Sequence, residues 1–192
     1  TPTNPTTICV MLDHRNIQMT ISNTPPSVAA ILVEHPLALH DTLASFALAL
    51  RERGRGVRGI LATSRRLANG GHVPALVDLD SCRTYLPASR QAAARNDNAA
   101  LRALLHDIAR RGADLALIPR FTAAEAAGHG YAATLDALIA SGTPILTTVG
   151  SPHYAAWQAF TNNRFVLLPP SLDALFSWID SVWQADRRPE RH

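Results

Sequence analysis

From residue 28 onward, two hydrophobic patterns alternate along the chain. Continuous apolar runs bounded by turn residues are typical of strands covered on both faces. Between them, apolar residues recur at spacings of three and four, which is typical of amphipathic helices. The predicted strands are Val28–Glu34, Val57–Thr63, Ala113–Ile118, Ile145–Val149 and Phe165–Leu168. The predicted helices are Thr42–Arg53, Asn98–Arg111, Ala123–Ala140, His153–Phe160 and Leu172–Ala185.

Residue types at the element boundaries support these assignments. Asp41 is predicted to be the N-cap of the first helix, and Ser171 the N-cap of the last, because both side chains can accept a bond from an early helical N–H. Gly54 follows the first helix, as glycine commonly does. Gly128 and Gly130 are expected to weaken or interrupt the helix predicted over 123–140.

Repeated strand–helix alternation predicts an α/β fold with three layers. The sheet is expected to be mostly parallel, with helices on both faces, as in P-loop and Rossmann-like proteins. Residues 64–96 break the rhythm. A turn signal, Asn69-Gly70-Gly71, precedes two short strands at Ala75–Asp80 and Cys82–Leu86, which an antiparallel pair would accommodate, and then a loop at 87–96.

The first 27 residues are predicted to be an extension of the main domain. Ile8–Leu12 and Ile17–Ile21 read as a β-hairpin, and the following Pro25-Pro26 pair disfavours a continuing strand. The expected organisation is therefore an N-terminal extension at 1–27, a single α/β domain at 28–186 and a charged tail at 187–192.

Every one of the 18 Lys-plus-Arg residues is arginine. No side chain can therefore form a Schiff base or act as the lysine of a P-loop. The four arginines Arg51, Arg53, Arg55 and Arg58 are expected to complement a helix C-terminus rather than bind nucleic acid.

Other composition features limit the expected surroundings of the protein. No apolar run is long enough to span a membrane, and the first residues lack the basic start and apolar core of a signal peptide. The expectation is a cytoplasmic protein with neither a membrane nor a nucleic-acid partner. The two cysteines, Cys9 and Cys82, have no metal-finger spacing and are expected to be neither disulfide-bonded nor zinc-bound.

Three sequence landmarks carry a resemblance to a known family. They are Val77-Asp78-Leu79-Asp80; the run 112–118 leading into Arg120-Phe121, Glu125 and Gly128-His129-Gly130; and the run 142–146. With the order of elements over residues 28–160, they resemble the bacterial family catalogued as domain of unknown function 2478. Pro119, Thr122 and Ala123 depart from the family motif, as do Arg120 and His129, which preserve a basic character. The resemblance implies a relationship to P-loop nucleotide phosphatases and an association with molybdenum metabolism.

The phosphate loop of such enzymes is missing from the sequence. Residues 34–42, which follow the first main-domain strand, contain no glycine and no lysine, and Pro36 lacks a backbone donor. Without the backbone cradle and the lysine, nucleotide hydrolysis is not expected. A Gly-x-Ser-x-Gly elbow is also absent, so no catalytic residue is assigned.

Polar side chains follow several predicted strands at what would be the carboxyl rim of a parallel sheet, where ligands of such folds bind. Arginine is well suited to phosphate, carboxylate or tetrahedral oxyanions. The predicted ligand-binding residues are Arg65, Arg66, Arg120, His129, Ser151 and His153, with Glu34, His35 and Ser64 on the same rim and backbone N–H groups after Gly150 as further donors. Ordinary surface loops would give the same pattern.

Three further groups have structural interpretations. His35, His40 and Asp41 lie near Glu34, but their spacing is not that of a standard metal site, so no metal is expected. Glu125 could act as an acid or base, or as a first-turn helix charge. Trp157, Trp178 and Trp183 are expected to be core or interface aromatics.

The leading hypothesis is a non-hydrolytic accessory protein that binds a small anion, an oxyanion such as molybdate or a nucleotide-like group, at the strand rim. The alternative is a protein-interaction or regulatory subunit, including a homo-oligomer, that uses the fold as a scaffold. An enzyme with an unconventional site near Glu125 and His129 is a third hypothesis. The sequence identifies no cofactor.

Overall fold

The computed structural model describes residues 25–35, 37, 39–86 and 99–187. Seven strands form one sheet: β1 (Val28–Leu32), β2 (Val57–Arg66), β3 (His72–Asp78), β4 (Thr84–Tyr85), β5 (Leu115–Leu117), β6 (Ile145–Val149) and β7 (Val166–Leu167). Their spatial order is β4-β3-β2-β5-β6-β1-β7. β3 and β4 are antiparallel to their neighbours, and the other strands pair in parallel.

Six α-helices lie among the described residues: α1 (His40–Glu52), α2 (Ala99–Arg111), α3 (Ala123–Ala126), α4 (Ala132–Ala140), α5 (Tyr154–Phe160) and α6 (Leu172–Asp186). A short 3₁₀ turn at Ser151–His153 precedes α5. The predicted hairpin at residues 8–21 and the predicted loop at 87–96 lie outside the described residues.

Two hydrophobic clusters place the helices on opposite faces of the sheet. The first cluster includes Phe46 and Leu50 of α1 together with Trp178 of α6. The second includes Leu105 of α2 and Trp157 of α5, on the other face. The central strands β1, β5 and β6 supply side chains to both clusters, which explains their continuous apolar sequences. The predicted three-layer α/β architecture is confirmed.

The helix boundaries correct two sequence predictions. α1 begins at His40, and its N-cap is Leu39, so the predicted N-cap role of Asp41 is wrong; Asp41 lies in the first turn instead. The single helix predicted over 123–140 is two helices, α3 and α4. Gly128 and Gly130, which separate them, have φ values of +77° and +60°, a left-handed conformation that a continuous helix excludes. Ser171 caps α6 as predicted, accepting from the N–H of Ala174 at 3.4 Å.

β2 is longer than predicted and leaves the body of the sheet. Only Val57–Gly59 pair with β5, whereas Ile60–Arg66 pair with Asp78–His72 of β3. The part from Ala62 to Pro74, including the turn at residues 67–71, is called the arm below. The turn contains the predicted Asn69-Gly70-Gly71 signal, and Gly70 adopts a φ of +81° there. β3 and β4 form an antiparallel pair, as the sequence suggested.

The arginines clustered in sequence lie at the amino ends of the parallel strands and are held by other residues. Arg51 donates to the carbonyls of Val57 at 2.7 Å and Leu79 at 2.6 Å, and forms an ion pair with Asp80 at 2.6 Å. Arg58 bridges Asp80 at 2.8 Å and Asp107 at 3.1 Å. These contacts tie α1, β2, β3 and α2 together, which goes beyond the predicted complementation of a helix terminus.

The other two clustered arginines lie over aromatic rings of α6. The guanidinium of Arg53 is 4.4 Å from the ring centroid of Phe176, and that of Arg55 is 4.1 Å from the ring of Trp183. Each cation–π contact adds a stabilising link between the C-terminal end of α1 and the last helix.

Candidate functional site at the carboxyl ends of β1 and β6

β1 and β6 are neighbouring parallel strands whose following helices lie on opposite faces of the sheet. They pair from Val28 with Ile145 to Leu32 with Val149. α1, which follows β1, packs in the first cluster, whereas α5, which follows β6, packs in the second. In open α/β sheets, such a switch opens a crevice at the carboxyl ends of the strands where ligands bind. This crevice is the candidate site.

Both strands contribute polar groups to the crevice. The Oγ of Ser151 donates a 2.6 Å hydrogen bond to the Oε1 of Glu34, linking the segment after β6 to the segment after β1. The backbone N–H of Val33 donates to the carbonyl of Val149 at 2.9 Å, which extends the pairing by one residue. The structure thus brings together Ser151 and Glu34, both predicted rim residues, and both are exposed to solvent.

Arg120 reaches the same crevice from the neighbouring strand β5. The chain after β5 turns toward β6, where Phe121 pairs with Val149 and its N–H donates to the carbonyl of Thr148 at 2.9 Å. The guanidinium of Arg120 lies directly over Gly150. A Cβ atom at residue 150 would be only 2.0 Å from the Nη2 of Arg120, so the placement of this guanidinium requires glycine.

Buried hydrogen bonds hold the loop that carries Arg120. The hydroxyl of the fully buried Tyr131 lies 2.6 Å from the carbonyl oxygens of both Pro119 and Arg120, and its single hydrogen is shared between these two acceptors. The Oγ1 of Thr147 donates to the carbonyl of Pro119 at 3.0 Å. Burial, with a smaller contribution from Glu125, raises the pKa of Tyr131 well above its ordinary value, so the hydroxyl stays a donor at physiological pH.

Glu125 is fully buried and caps α3. Its Oε2 accepts from the N–H of Thr122 at 3.0 Å and the hydroxyl of Thr122 at 2.6 Å, which forms a capping box. Its Oε1 accepts from the N–H of Tyr131 at 3.4 Å. Of the two interpretations open from sequence, these contacts favour the helix-start role, because both carboxylate oxygens are engaged away from solvent.

The first turn of α1 covers a small cavity beside Arg120. Its lining includes His40 and Leu43 of α1, Ile118 and Arg120 from the β5 segment, and Thr148 of β6. The cavity volume is about 20 Å³, room for one or two water molecules. A tetrahedral anion is larger than this, so it would have to bind at the mouth of the cavity.

One feature makes the mouth of the cavity attractive to negative charge, and a second fixes a side chain at the cavity wall. α1 has 13 residues and begins without a side-chain cap, because the N-cap residue Leu39 has no acceptor atom. The Nδ1 of His40 lies 2.8 Å from the carbonyl of Ala62, an oxygen that can only accept, so Nδ1 carries the hydrogen. The exposed carboxylate of Glu34 on the same rim opposes an anion.

The other predicted ligand-binding residues lie farther from this crevice or on its far side. Arg65 and Arg66 are exposed near the tip of the arm; Arg65 lies three residues beyond Ala62, which lines the cavity, about 10 Å at the rise of a strand. They belong to a strand rather than to the predicted loop after it. His129 is exposed in the α3–α4 connection, and His153 is half-buried at the end of the 3₁₀ turn, next to the face that carries α5.

Sequence reasoning did not identify two residues that form the site. Tyr131 carries no sequence signal of its role, because a lone tyrosine near a helix start does not indicate a long-range bond to Pro119. The sequence predicts backbone donors after Gly150, whereas the structure shows that the missing side chain of Gly150 itself makes room for Arg120. A glycine directly after a predicted buried strand is the available signal.

Metal and membrane features are reported for the part of the chain that the structure describes. Across residues 25–35, 37, 39–86 and 99–187, no group of three or more His, Cys, Asp or Glu residues is placed to hold a metal ion. Among the same residues, every helix is too short or too polar to cross a bilayer. Cys82 is an exposed thiol, and Cys9 lies outside the described residues.

The chain belongs to a family of α/β proteins defined by sequence. The model of the family described as "Protein of unknown function (DUF2478)" matches residues 28–178, well over half of the chain, and this match confirms the predicted resemblance. No curated protein matches the chain. The suggested relationship to P-loop nucleotide phosphatases is not tested by the family match and stays a prediction.

Proposed function

We propose that this protein binds a small oxyanion in the crevice between β1 and β6, without hydrolysing a nucleotide. The observation that supports this most is the guanidinium of Arg120, which is held over Gly150 at the switch in strand order. Planar guanidinium donors suit phosphate-like and molybdate-like oxygens. The uncapped first turn of α1 adds the positive end of a helix dipole beside it.

The proposed site is a binding site and not a hydrolytic one. The segment after β1 has neither the glycines nor the lysine that clamp a triphosphate, and the cavity under α1 is far too small for a nucleotide. The ligand therefore lies at the surface of the crevice, where it exchanges readily with solvent. A role as an accessory protein in molybdenum metabolism would follow if the preferred anion is molybdate.

The first test is a thermal-shift titration of the pure protein with molybdate, tungstate, phosphate, sulfate and ATP. A ligand that binds only the native state stabilises it by about 2.7 kcal/mol at a hundred times its dissociation constant. We expect a dose-dependent rise in Tm with one of the oxyanions. The rise should disappear in Arg120→Gln, because the variant keeps a polar side chain but loses the charge.

The matched control is Arg110→Gln, which removes an exposed arginine from the last turn of α2, on a different element from the crevice. It lowers the net charge by the same amount as Arg120→Gln, so a purely non-specific charge effect would reduce the Tm rise equally in both variants. Equal reductions, or no rise with any oxyanion at millimolar concentration, would reject the proposal.

A further inference from the structure

The arm has two edges whose backbone groups differ. In the body of the sheet below the arm, the N–H of Leu79 donates to the carbonyl of Gly59 at 2.9 Å, and at the tip of the arm the N–H of Leu67 donates to the carbonyl of Gly71 at 2.7 Å. Residues 59 and 67 therefore direct their backbone groups toward β3. Because backbone direction alternates along a strand, Ala62, Ser64 and Arg66 direct their N–H and C=O groups away from β3.

Among the described residues, the backbone groups on the outward edge of β2 have hydrogen-bond partners only as far as Ala62. β5 pairs with β2 no farther than Gly59. The Nδ1 of His40 donates to the carbonyl oxygen of Ala62 at 2.8 Å. Beyond that point, Ser64 and Arg66 are exposed. The edge from Ala62 to Arg66 spans five residues, about 17 Å of strand.

The opposite edge of the arm is blunted. Pro74 is paired in register with Ser64, so it too is directed outward, and proline has no N–H to offer. Proline on an edge strand prevents further pairing. β4 covers β3 farther along, at Leu76 and Val77. Beyond the carbonyl of Ala62, the outward edge of β2 therefore carries the donors and acceptors of Ser64 and Arg66, whereas that of β3 is interrupted.

The charge of the arm restricts what can pair with it. From residue 59 to residue 77, the chain contains Arg65, Arg66 and His72 but no aspartate or glutamate. Neighbouring residues of a strand point to opposite faces, so an incoming strand meets a guanidinium on each face. A second copy of the arm would place arginines opposite arginines, which is unfavourable.

We propose that the outward edge of β2 between Ala62 and Arg66 binds an extended acidic segment of a partner protein as an added strand. Main-chain hydrogen bonds to Ser64 and Arg66 would supply the affinity, and Arg65 and Arg66 would select carboxylate side chains. The site uses neither Arg120 nor Gly150, and it adjoins the proposed oxyanion crevice only at Ala62, which lines the cavity.

The test is a selection of random dodecapeptides, displayed on phage, against the immobilised full chain, followed by fluorescence anisotropy with the enriched peptides. We expect enriched peptides to be acidic and free of proline in their central residues. Ser64→Pro removes one outward N–H and should weaken binding by about tenfold or more. Arg65→Gln together with Arg66→Gln should weaken it to a similar extent, whereas the control Arg110→Gln should leave it unchanged.

A backbone-methylated version of the best peptide keeps the test decisive if Ser64→Pro is poorly folded. Methylation at alternate amides removes the peptide's donors without altering the protein, and it should also weaken binding by about tenfold. The proposal is overturned if nothing acidic is enriched, or if the methylated peptide binds as well as the parent. Arm-dependent dimers in sedimentation, or preferred binding of an oligonucleotide, would equally overturn it.

Discussion

Arginine serves opposite purposes at the two ends of the parallel sheet. At the amino ends, Arg51 and Arg58 donate to carbonyls and carboxylates of β2, of the segment after β3 and of α2, and Arg53 and Arg55 cover aromatic rings. At the carboxyl ends, Arg120 lies over Gly150 in the crevice. The dense arginine cluster in the sequence is therefore structural, and a solitary arginine occupies the candidate site. Position in the topology distinguishes the two uses, whereas local charge density does not.

The largest expected effect is a loss of stability when Arg51, at the amino ends of the parallel strands, is replaced. Arg51→Ala would leave the carbonyls of Val57 and Leu79 without their charged donor and would remove the ion pair with Asp80. We expect the free energy of unfolding to fall by about 2–3 kcal/mol, measured by urea denaturation. Arg110→Ala should change it by less than about 0.5 kcal/mol. A loss of stability no greater than that of the control would mean that the contacts of Arg51 do not hold these elements together.

The crevice should respond to a single methyl group. In Gly150→Ala, the new Cβ would displace the guanidinium of Arg120, while the residue's φ of −76° suits alanine. We expect at least about tenfold weaker oxyanion binding, equivalent to ~1.4 kcal/mol, with little loss of stability, because the obstructed atom is the end of a flexible side chain. Isothermal titration calorimetry measures the affinity.

Gly56→Ala is the matched control at the other end of the sheet, where the nearest atom to the added Cβ is 3.4 Å away, an ordinary contact. Its oxyanion affinity should equal that of the wild type. Unchanged oxyanion affinity in Gly150→Ala would mean that Arg120 does not contribute to binding at the proposed site.

A smaller effect is expected at Tyr131, whose hydroxyl holds the loop that carries Arg120. Tyr131→Phe removes the donor shared by the carbonyls of Pro119 and Arg120, which should cost about 1–2 kcal/mol of stability. Because the pKa of Tyr131 is raised far above neutrality, this difference should be constant between pH 6 and pH 9. A difference that varies over this range, in parallel urea titrations, would contradict a purely neutral donor.

The smallest effect is the pH dependence of the stability that Asp107, the ion-pair partner of Arg58, contributes. The hydrogen bond from Arg58 lowers the pKa of Asp107 below its ordinary value of 3.8. A carboxyl whose pKa is lowered by folding stabilises the native state above that ordinary value, and the contribution is lost as the pH falls through the lower, folded value. Asp107→Asn should therefore be less stable than wild type at pH 6, and the difference should shrink toward pH 2. A constant difference would mean that the charge of Asp107 is irrelevant.

The fold was largely predictable because buried parallel strands have strong local signatures. β6, at Ile145–Val149, agrees with its predicted bounds, since its β-branched and aliphatic residues are bounded by turn residues on both sides. The arm was not predictable to the same degree, because the continuation of β2 to Arg66 depends on pairing with β3 and not on hydrophobicity. Its polar residues resemble a loop in sequence.

The candidate site was predictable only in part. The order of the strands, which the sequence could not supply, makes β2, β5, β6 and β1 neighbours and so brings Arg120, Ser151 and Glu34 to one rim. Arg65 and Arg66 lie on the arm instead, because β2 extends well beyond Gly59, the last residue that pairs with β5. The helix start at His40 was missed since Asp41 matches the capping preference locally, whereas the position of the loop before it determines where the helix begins.

The position of β1 between β6 and β7 has a consequence for synthesis of the chain on the ribosome. β1 is flanked by β6 and β7, so both of its partners are translated more than a hundred residues later. At about 5–20 residues per second, the apolar segment Val28–Ile31 waits roughly 6–25 s before either neighbour exists. A nascent chain that ends before residue 145 therefore has no native strand with which to pair β1. We expect such truncated chains to be recognised by chaperones or to aggregate, while the full-length chain folds.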